Sequence, residues 1–314
     1  MSALDSTAFD MTVVGRTAGS DGVALIELAA ERTLPRWQPG AHIDLILPSG
    51  DIRQYSLCGT PGAQTWRIGV LREDAGRGGS TWIHDMLHPG ATVRVAGPRN
   101  HFEFIPEKGT RYLFIAGGVG ITAIAPMVES AAAAGVEYRV EYAGRSRGTM
   151  ALLQLEQEHP SRVSIHAADE GARLDLPSLF ADLPPFTTTF CCGPARLIEA
   201  VESAATGRQL KVERFEPKEL GAPVLAEPFE VELAFSGIEV TVPPERSILD
   251  VVEEAGVLVL SSCREGTCGT CETRVMEGEI DHRDSILTPL EQDANDVMYI
   301  CVSRSAGPKL TLEL

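Results

Sequence analysis

Seven cysteines, four of them spaced for metal binding, carry the clearest chemistry in this sequence. Cys263, Cys268 and Cys271 follow the spacing C-x4-C-x2-C, and Cys301 lies farther along the chain. Plant-type 2Fe–2S sites have this spacing, in which four thiolates bind two iron atoms. Zinc is the alternative for clustered thiols, but zinc sites usually contain two short C-x2-C pairs and this sequence has one. The sequence therefore predicts a 2Fe–2S cluster bound by these four cysteines.

A glycine-rich turn is the second candidate site. The run Gly117-Gly118-Val119-Gly120-Ile121-Thr122 follows a continuous apolar stretch and precedes a helix-like one. Such a turn directs backbone N–H groups and a helix dipole toward a pyrophosphate. It is not G-x-G-x-x-G, so by itself it is a weak signal for a dinucleotide. Cys191-Cys192-Gly193-Pro194 ends a later predicted strand, at the edge where parallel sheets bind ligands, and strengthens the prediction.

Two segments nearer the N-terminus suit a flavin phosphate and a flavin ring. Arg53-Gln54-Tyr55-Ser56 ends a predicted strand, and Gly76-Arg77-Gly78-Gly79-Ser80 is a loop rich in hydrogen-bond donors. An arginine and bare backbone N–H groups suit a phosphate. A tyrosine can cover a flavin face, and a serine hydroxyl can hydrogen-bond flavin N5. Ordinary cross-strand packing is the alternative for a Tyr–Ser pair on a strand.

The hydrophobic pattern that must position these residues changes twice along the chain. Residues 1–105 show short alternating runs, such as 66–71, between turn clusters, which predict an antiparallel β-barrel. Residues 106–216 alternate apolar strands, among them 163–167 and 187–192, with helical stretches such as 150–158, which predict a doubly wound parallel sheet. Residues 217–228 are rich in proline and are typical of a linker. Residues 229–314 begin with a strand hairpin and a helix whose predicted N-cap is Ser247, and they form the third predicted domain.

The net charge of −17 argues against a nucleic-acid partner, because a phosphate backbone attracts basic surfaces. Residues 227–314 hold 18 acidic and 6 basic side chains, so this segment carries −12 of that charge. An acidic module predicts a docking face for a basic protein partner, although a merely solvated acidic surface is the alternative. Apolar runs fall well short of the ~20 residues that span a bilayer, and no signal-peptide pattern begins the chain. We expect a cytoplasmic protein without membrane association.

Taken together, the motifs resemble those of a known family over essentially the whole chain. R-x-Y-S, G-R-G-G-S, G-G-V-G-I-T and C-G-P, in this order, are similar to the ferredoxin–NADP reductase superfamily. Residues 229–314 resemble a plant-type ferredoxin, which has an α+β β-grasp fold. The combination resembles the phthalate dioxygenase reductase and vanillate O-demethylase reductase family. Gly97-Pro98-Arg99-Asn100-His101-Phe102 and Val212-Glu213-Arg214-Phe215 also match its pattern.

This resemblance implies the cofactors FMN, NADH and a 2Fe–2S cluster, and it assigns roles to single residues. Arg53, Tyr55 and Ser56 would hold the isoalloxazine and the upper part of FMN, and Gly78, Gly79 and Ser80 would bind its terminal phosphate. The dinucleotide would lie along Gly118, Gly120 and Thr122, with Cys192 close to the nicotinamide, and Phe215 would pack near the flavin. Ser56, Cys192 and Phe215 are thus the candidate catalytic residues.

By the same resemblance, the function is that of a reductase component of a multicomponent oxygenase. Electrons would pass from NADH through FMN and the cluster to a Rieske-type oxygenase that hydroxylates aromatic rings or removes O-methyl groups. A cytochrome P450 is the alternative partner. NADPH is the alternative donor, because Gly144-Arg145-Ser146-Arg147 follows a predicted strand and suits a 2′-phosphate. A binding protein that kept the fold without its cofactors is a third hypothesis, and the intact motifs argue against it.

Overall fold

The computed structural model describes residues 8–314, which form two compact units, residues 8–214 and residues 215–314. Among the described residues, no helix is both long and apolar enough to cross a membrane. The predicted domain boundaries 1–105, 106–216 and 229–314 stay predictions. The division observed between residues 214 and 215 follows from the contacts within each unit.

The first part of residues 8–214 is an antiparallel barrel. Its strands and one helix are β1 Phe9–Ser20, β2 Val23–Ala29, β3 His42–Ile46, β4 Ile52–Ser56, β5 Trp66–Leu71, α1 Gly79–Met86 and β6 Thr92–Arg99. The strand order is β4-β3-β6-β1-β2-β5, and a bridge between Leu57 and Ile68 joins the two edges. Alternate side chains such as Ile26 and Leu28 are completely buried inside it. The barrel predicted from the alternating pattern is confirmed.

The second part of this unit is a five-stranded parallel sheet with helices on both faces. Its elements are β7 Arg111–Gly117, α2 Ile121–Ala134, β8 Glu137–Gly144, α3 Gln154–Glu158, β9 Val163–Ala167, α4 Leu176–Asp182, β10 Thr187–Cys192, α5 Ala195–Ala204 and β11 Leu210–Glu213. The order is β11-β10-β7-β8-β9. One face packs on α2 and the other on α4 and α5. Barrel residues Phe102 and Phe104 belong to the same apolar core as α2, so the barrel and this sheet are packed together.

Strand β8 places a carboxylate inside the parallel sheet. Glu141 is completely buried, forms an ion pair with exposed Arg139 and hydrogen-bonds His166 of β9, whose Nε2 lies 2.5 Å from Glu141 Oε2. Replacing Glu141 by alanine should lower the free energy of unfolding by about 2 kcal/mol, because it removes a buried carboxylate with both of these contacts and leaves a void. Urea unfolding followed by circular dichroism measures this change. Glu137→Ala removes an exposed carboxylate of the same strand and should cost less than about 0.5 kcal/mol; equal losses would contradict the argument.

Residues 215–314 form the second unit. Its elements are β12 Phe229–Leu233, β13 Ile238–Val242, α6 Ile248–Glu254, β14 Glu272–Glu277, β15 Ile280–Asp281, α7 Pro289–Ala294, β16 Val297–Tyr299, β17 Arg304–Ser305 and β18 Lys309–Leu312. A mixed sheet of order β13-β12-β18-β14-β16 packs its apolar face on α6. The predicted N-cap Ser247 accepts the Asp250 N–H at 3.1 Å, so α6 begins where its sequence predicts. The predicted α+β β-grasp class is confirmed.

The segment predicted as a linker is held against this second unit. Lys218 N–H donates to Ser285 Oγ at 2.9 Å, and Val224 N–H donates to Asp281 Oδ2 at 3.1 Å. Arg283 Nη2 donates to the carbonyl of Gly221 at 2.7 Å. These three hydrogen bonds attach residues 218–224 to the segment that holds β15 and the residues after it.

Candidate flavin, nucleotide and cluster sites

The four predicted cluster cysteines converge in the second unit. Cys268, Cys271 and Cys301 are buried, Cys263 is half-buried, and all four are free thiols. The Cys263 thiol is within hydrogen-bonding reach of Cys268 and Cys301, which lowers its pKa and favours the thiolate. Cys301 likewise reaches Cys271 and lowers the pKa of that thiol. Thiolates are the form that binds metal, so the four converging cysteines form a candidate ligand site.

The loop between these cysteines fits a 2Fe–2S cluster. Backbone N–H groups of Glu265 and Thr267 donate to Cys263 Sγ at 3.3 and 3.5 Å. Such bonds to the sulfur ligands stabilise the cluster and tune its potential. Gly266 has a φ of 70°, and a Cβ there would lie 2.5 Å from a Val302 methyl carbon, so only glycine suits the position. The donors and the thiols together match the chemistry that the spacing predicts.

The two predicted flavin segments meet in the first unit. Arg53 and Tyr55 lie on β4, and Arg53 Nη2 donates to the carbonyl of Arg77 at 3.2 Å. A Cβ at Gly79 would lie 2.8 Å from Arg53 Cγ, so the absence of a side chain lets the guanidinium stem cross the start of α1. Gly78, the N-cap of α1, is left-handed with a φ of 77°. Ser80, in the first turn of that helix, accepts the Glu73 N–H at 3.0 Å through its hydroxyl oxygen.

The arrangement at the start of α1 suits an anionic group. An arginine and the N-terminal N–H groups of an eight-residue helix lie side by side, as phosphate sites require. Tyr55 is partly buried, and burial raises the pKa of its phenol, so the ring stays neutral. The individual roles of these residues in FMN binding stay predictions.

The glycine-rich turn leads directly from β7 into α2. Residues 118–120 form one short 3₁₀ turn, and buried Thr122 donates from its hydroxyl to the carbonyl of Val119 at 2.9 Å. Gly120 lies against the backbone of Cys192, where a Cβ would collide. At Gly193 a Cβ would lie 2.9 Å from Gly117 Cα. The ends of β7 and β10 therefore approach as closely as backbones can, and the predicted residues share one edge of the sheet.

A carboxylate that the sequence did not single out lies between the end of β4, which holds the predicted flavin residues, and the end of β10, which holds Cys192. Glu213 Oε2 is 3.5 Å from Ser56 Oγ and 3.9 Å from Cys192 Sγ. Glu213 ends β11 and is the register neighbour of Cys192 on β10. Loss of hydration raises the pKa of Glu213 to about 8, although Ser56 and Cys192 hydrogen-bond the carboxylate and oppose the rise. Glu213 is therefore largely protonated at neutral pH, which is unusual for a carboxylic acid.

Comparison with known proteins decides the family. Residues 231–306, which include all four clustered cysteines, match the model of the "2Fe-2S iron-sulfur cluster binding domain". The chain is 41% identical over 303 residues to phenoxybenzoate dioxygenase subunit beta of Ectopseudomonas oleovorans, with 94% of each chain covered. It is 37% identical to vanillate O-demethylase oxidoreductase of Pseudomonas putida, covering 97% of this chain and 99% of that one. The chain belongs to the phthalate dioxygenase reductase and vanillate O-demethylase reductase family.

Solved structures agree with this placement. The reductase superposes on phthalate dioxygenase reductase with a TM-score of 0.69 at 31% identity, and 100% of both chains is covered. It also superposes on an intact type IV self-sufficient cytochrome P450 monooxygenase with a TM-score of 0.91 at 43% identity. That match covers 98% of the reductase but 41% of the P450 chain. The reductase is thus an oxidoreductase of oxygenase systems, and its fold also occurs within a P450 chain.

The structure brings together most, but not all, of the predicted site residues. Ser56 and Cys192 meet at Glu213, and the four cysteines meet in the second unit. Phe215 is exposed and is the first residue of the second unit, so its predicted position near the flavin stays a prediction. Glu213 had one signal in the sequence, since it lies in a run that matches the family pattern without an assigned role.

Proposed function

We propose that this reductase transfers electrons from NADH, through FMN and a 2Fe–2S cluster, to a Rieske-type oxygenase that hydroxylates aromatic rings or removes O-methyl groups. The observation that carries the proposal is the meeting of Ser56 and Cys192 at Glu213, beside a glycine-rich helix start. A flavin strand and a nucleotide strand that share one contact point suit hydride transfer between two stacked rings. Four converging thiols in the second unit supply the one-electron site.

FMN would supply the conversion of a hydride, which carries two electrons, into single electrons for the cluster. Arg53 and the N–H groups at Gly78, Gly79 and Ser80 would hold its phosphate, because a cation and backbone donors lie side by side there. Tyr55 would cover the isoalloxazine, and the Ser56 hydroxyl would face its reactive edge. Because Ser56 is only 3% exposed, this edge would be shielded from water.

The chain's own work at the flavin edge is to exclude water and to keep a proton in place. Cys192 is completely buried, and burial raises the pKa of its thiol well above the usual value. Its neutral S–H group therefore presents no competing nucleophile to the nicotinamide. Glu213 keeps its proton at neutral pH and places no full negative charge beside the ring that receives a hydride. Gly118, Gly120 and Thr122 would carry the dinucleotide along the start of α2.

The cluster module would dock on the oxygenase through its acidic surface. Residues 227–314 carry a net charge of −12, and Cys263 is the half-buried member of the four cysteines. A half-buried thiolate in an acidic module favours a basic partner surface and shortens the path for an electron. The whole-length matches to phenoxybenzoate dioxygenase subunit beta and vanillate O-demethylase oxidoreductase support an oxygenase as this partner.

A cytochrome P450 is the second candidate partner. The observation that favours a P450 partner is the superposition on the self-sufficient P450 at 43% identity. Separate reconstitution of the reductase with a Rieske oxygenase and with a P450 distinguishes the two. The true partner should accelerate NADH oxidation in the presence of its own substrate, and the other should not.

An anaerobic absorbance titration of the purified protein tests the proposal directly. We expect bands of flavin and of a 2Fe–2S cluster, and about one and a half equivalents of NADH should bleach both completely, because the flavin takes two electrons, the cluster takes one and each hydride carries two. Identification of the flavin after its release tests the assignment of FMN. A protein without flavin and iron would end the proposal. Bleaching of the flavin without the cluster would contradict the proposed order of transfer.

A further inference from the structure

The loops after β8 and β9 meet at the carboxyl edge of the parallel sheet. Gly144 and Ala167 pair at the strand ends, and the Asp169 N–H donates to the carbonyl of Arg145 at 3.1 Å. In the proposed function the nicotinamide lies at Cys192 on β10, on one side of β7. The adenosine half of the dinucleotide would then extend to the other side, where β8 and β9 end.

In the segment Gly144-Arg145-Ser146-Arg147, the Arg147 guanidinium forms ion pairs with two carboxylates. Its Nη1 donates to Glu156 Oε2 at 2.9 Å, and its Nη2 lies 3.4 Å from Glu156 Oε1. Its Nε lies 3.2 Å from Glu170 Oε1. Ser146 and Thr149 cap the short turn that begins with Arg147. Two carboxylates this close offset the positive potential of the guanidinium and occupy its N–H donors, so a third anion binds it less favourably.

The wider charge at these loops is negative. Gly148, in the same turn, accepts the Asp21 N–H at 2.7 Å through its carbonyl, so a barrel carboxylate also lies here. Carboxylates outnumber guanidinium groups four to two among the charged residues named for these loops, which are Asp21, Glu156, Asp169, Glu170, Arg145 and Arg147. A 2′-phosphate would add about −1.5 to −2. A ribose 2′-hydroxyl adds no charge and can donate to a carboxylate.

We propose that Glu156 and Glu170 select NADH over NADPH by neutralising Arg147 at the adenosine subsite. The inference rests on the proposed function, in which a nicotinamide dinucleotide binds along α2. From the sequence alone, Arg147 would be expected to bind a 2′-phosphate. The proposal instead gives its two carboxylate partners a role in specificity. The proposed role of these carboxylates is confined to Arg147; Arg145 of the same segment is exposed and is unchanged in every variant of the test.

The test frees Arg147 and measures binding without electron transfer. Isothermal titration calorimetry of the oxidised, cofactor-loaded protein is carried out with 2′,5′-ADP and with 5′-AMP. In the double variant Glu156→Gln/Glu170→Gln, we expect the Kd for 2′,5′-ADP to fall by about tenfold or more, because a free guanidinium binds a phosphate with charge-assisted hydrogen bonds. The Kd for 5′-AMP should change by less than about twofold. The ratio of kcat/KM for NADPH to that for NADH should rise in parallel.

Two controls separate Arg147 from a general change in charge. Adding Arg147→Ala to the double variant should return the Kd for 2′,5′-ADP to the wild-type value. Glu129→Gln/Glu137→Gln removes the same charge from other parts of this unit and should leave that Kd unchanged. No gain in the first variant, or an equal gain in the control, overturns the inference. Failure of NADH to bleach the wild-type flavin would overturn the proposed function instead, and the binding data would stand apart from it.

Discussion

Replacing Cys268 by serine should abolish reduction of cytochrome c, a basic one-electron acceptor protein, while NADH still reduces the flavin at the wild-type rate. Cys268 is buried, receives the Cys263 N–H at 3.4 Å and lies 3.1 Å from Thr270 Oγ1. Loss of this thiolate removes one of the four predicted cluster ligands. The flavin and nucleotide residues lie in the other unit and keep their contacts. We expect cytochrome c reduction to fall by at least about a hundredfold.

Stopped-flow absorbance measures both reactions in one preparation, and iron analysis reports the cluster. Cys58→Ala is the matched control, since this thiol is also buried, burial raises its pKa to about 12, and it lies outside the cluster unit. The control should keep both activities and its iron. If Cys268→Ser reduced cytochrome c normally, electrons would leave from the flavin and the order of transfer would be wrong.

Reduction of the flavin by NADH should slow by about tenfold between pH 7 and pH 9 in the wild-type protein, and Glu213→Gln should remove this dependence. The pKa of Glu213 is raised to about 8, so the carboxyl group is mostly protonated at pH 7 and mostly ionised at pH 9. An ionised Glu213 would place a negative charge beside Ser56 and Cys192, where we propose that the hydride arrives. Glutamine keeps the size and a hydrogen-bonding group but cannot ionise.

The raised pKa of Glu213 also makes the stability of the fold depend on pH. Because folding raises the pKa of Glu213 above its usual 4.5, the contribution to stability is fully present below that value and is lost as the pH rises through about 8.

Glu202→Gln is the control for the predicted pH dependence of the flavin reduction rate, since Glu202 pairs with Arg214 at 2.6 Å and touches neither Ser56 nor Cys192 in the described contacts. A pH profile for Glu213→Gln that matches the wild type would assign the decline to another group.

Most strands could be predicted because their signals are local. Trp66–Leu71, Val163–Ala167 and Thr187–Cys192 have the bounds that their apolar patterns indicate. The predicted helix over residues 150–158 was too long, because Leu152 is left-handed with a φ of 56° and α3 begins at Gln154. Helix α4 was missed although its N-cap is visible in the sequence, where Asp175 accepts the Ser178 N–H at 3.2 Å.

The candidate site could be predicted only as far as its motifs are continuous in sequence. The cysteine spacing and the glycine-rich turn each form a short segment, so the residue pattern names them. Glu213 acquires its role only when the short edge strand β11 pairs with β10, and no local pattern predicts that register. The partners of Arg147 come from α3 and from the loop after β9, so the sequence shows the cation without the carboxylates that occupy it.

The hydrogen bonds of residues 218–224 with Ser285, Asp281 and Arg283 make this segment part of the ferredoxin unit when domains are exchanged between proteins. A chimera that joined a foreign ferredoxin at residue 229 would discard these three side chains and leave the backbone groups of Lys218, Gly221 and Val224 without their hydrogen-bond partners. A junction at residues 214–215 transfers the segment together with the surface that it covers. Engineers who recombine electron-transfer chains would therefore treat this proline-rich stretch as part of the donor ferredoxin and place their crossover before it.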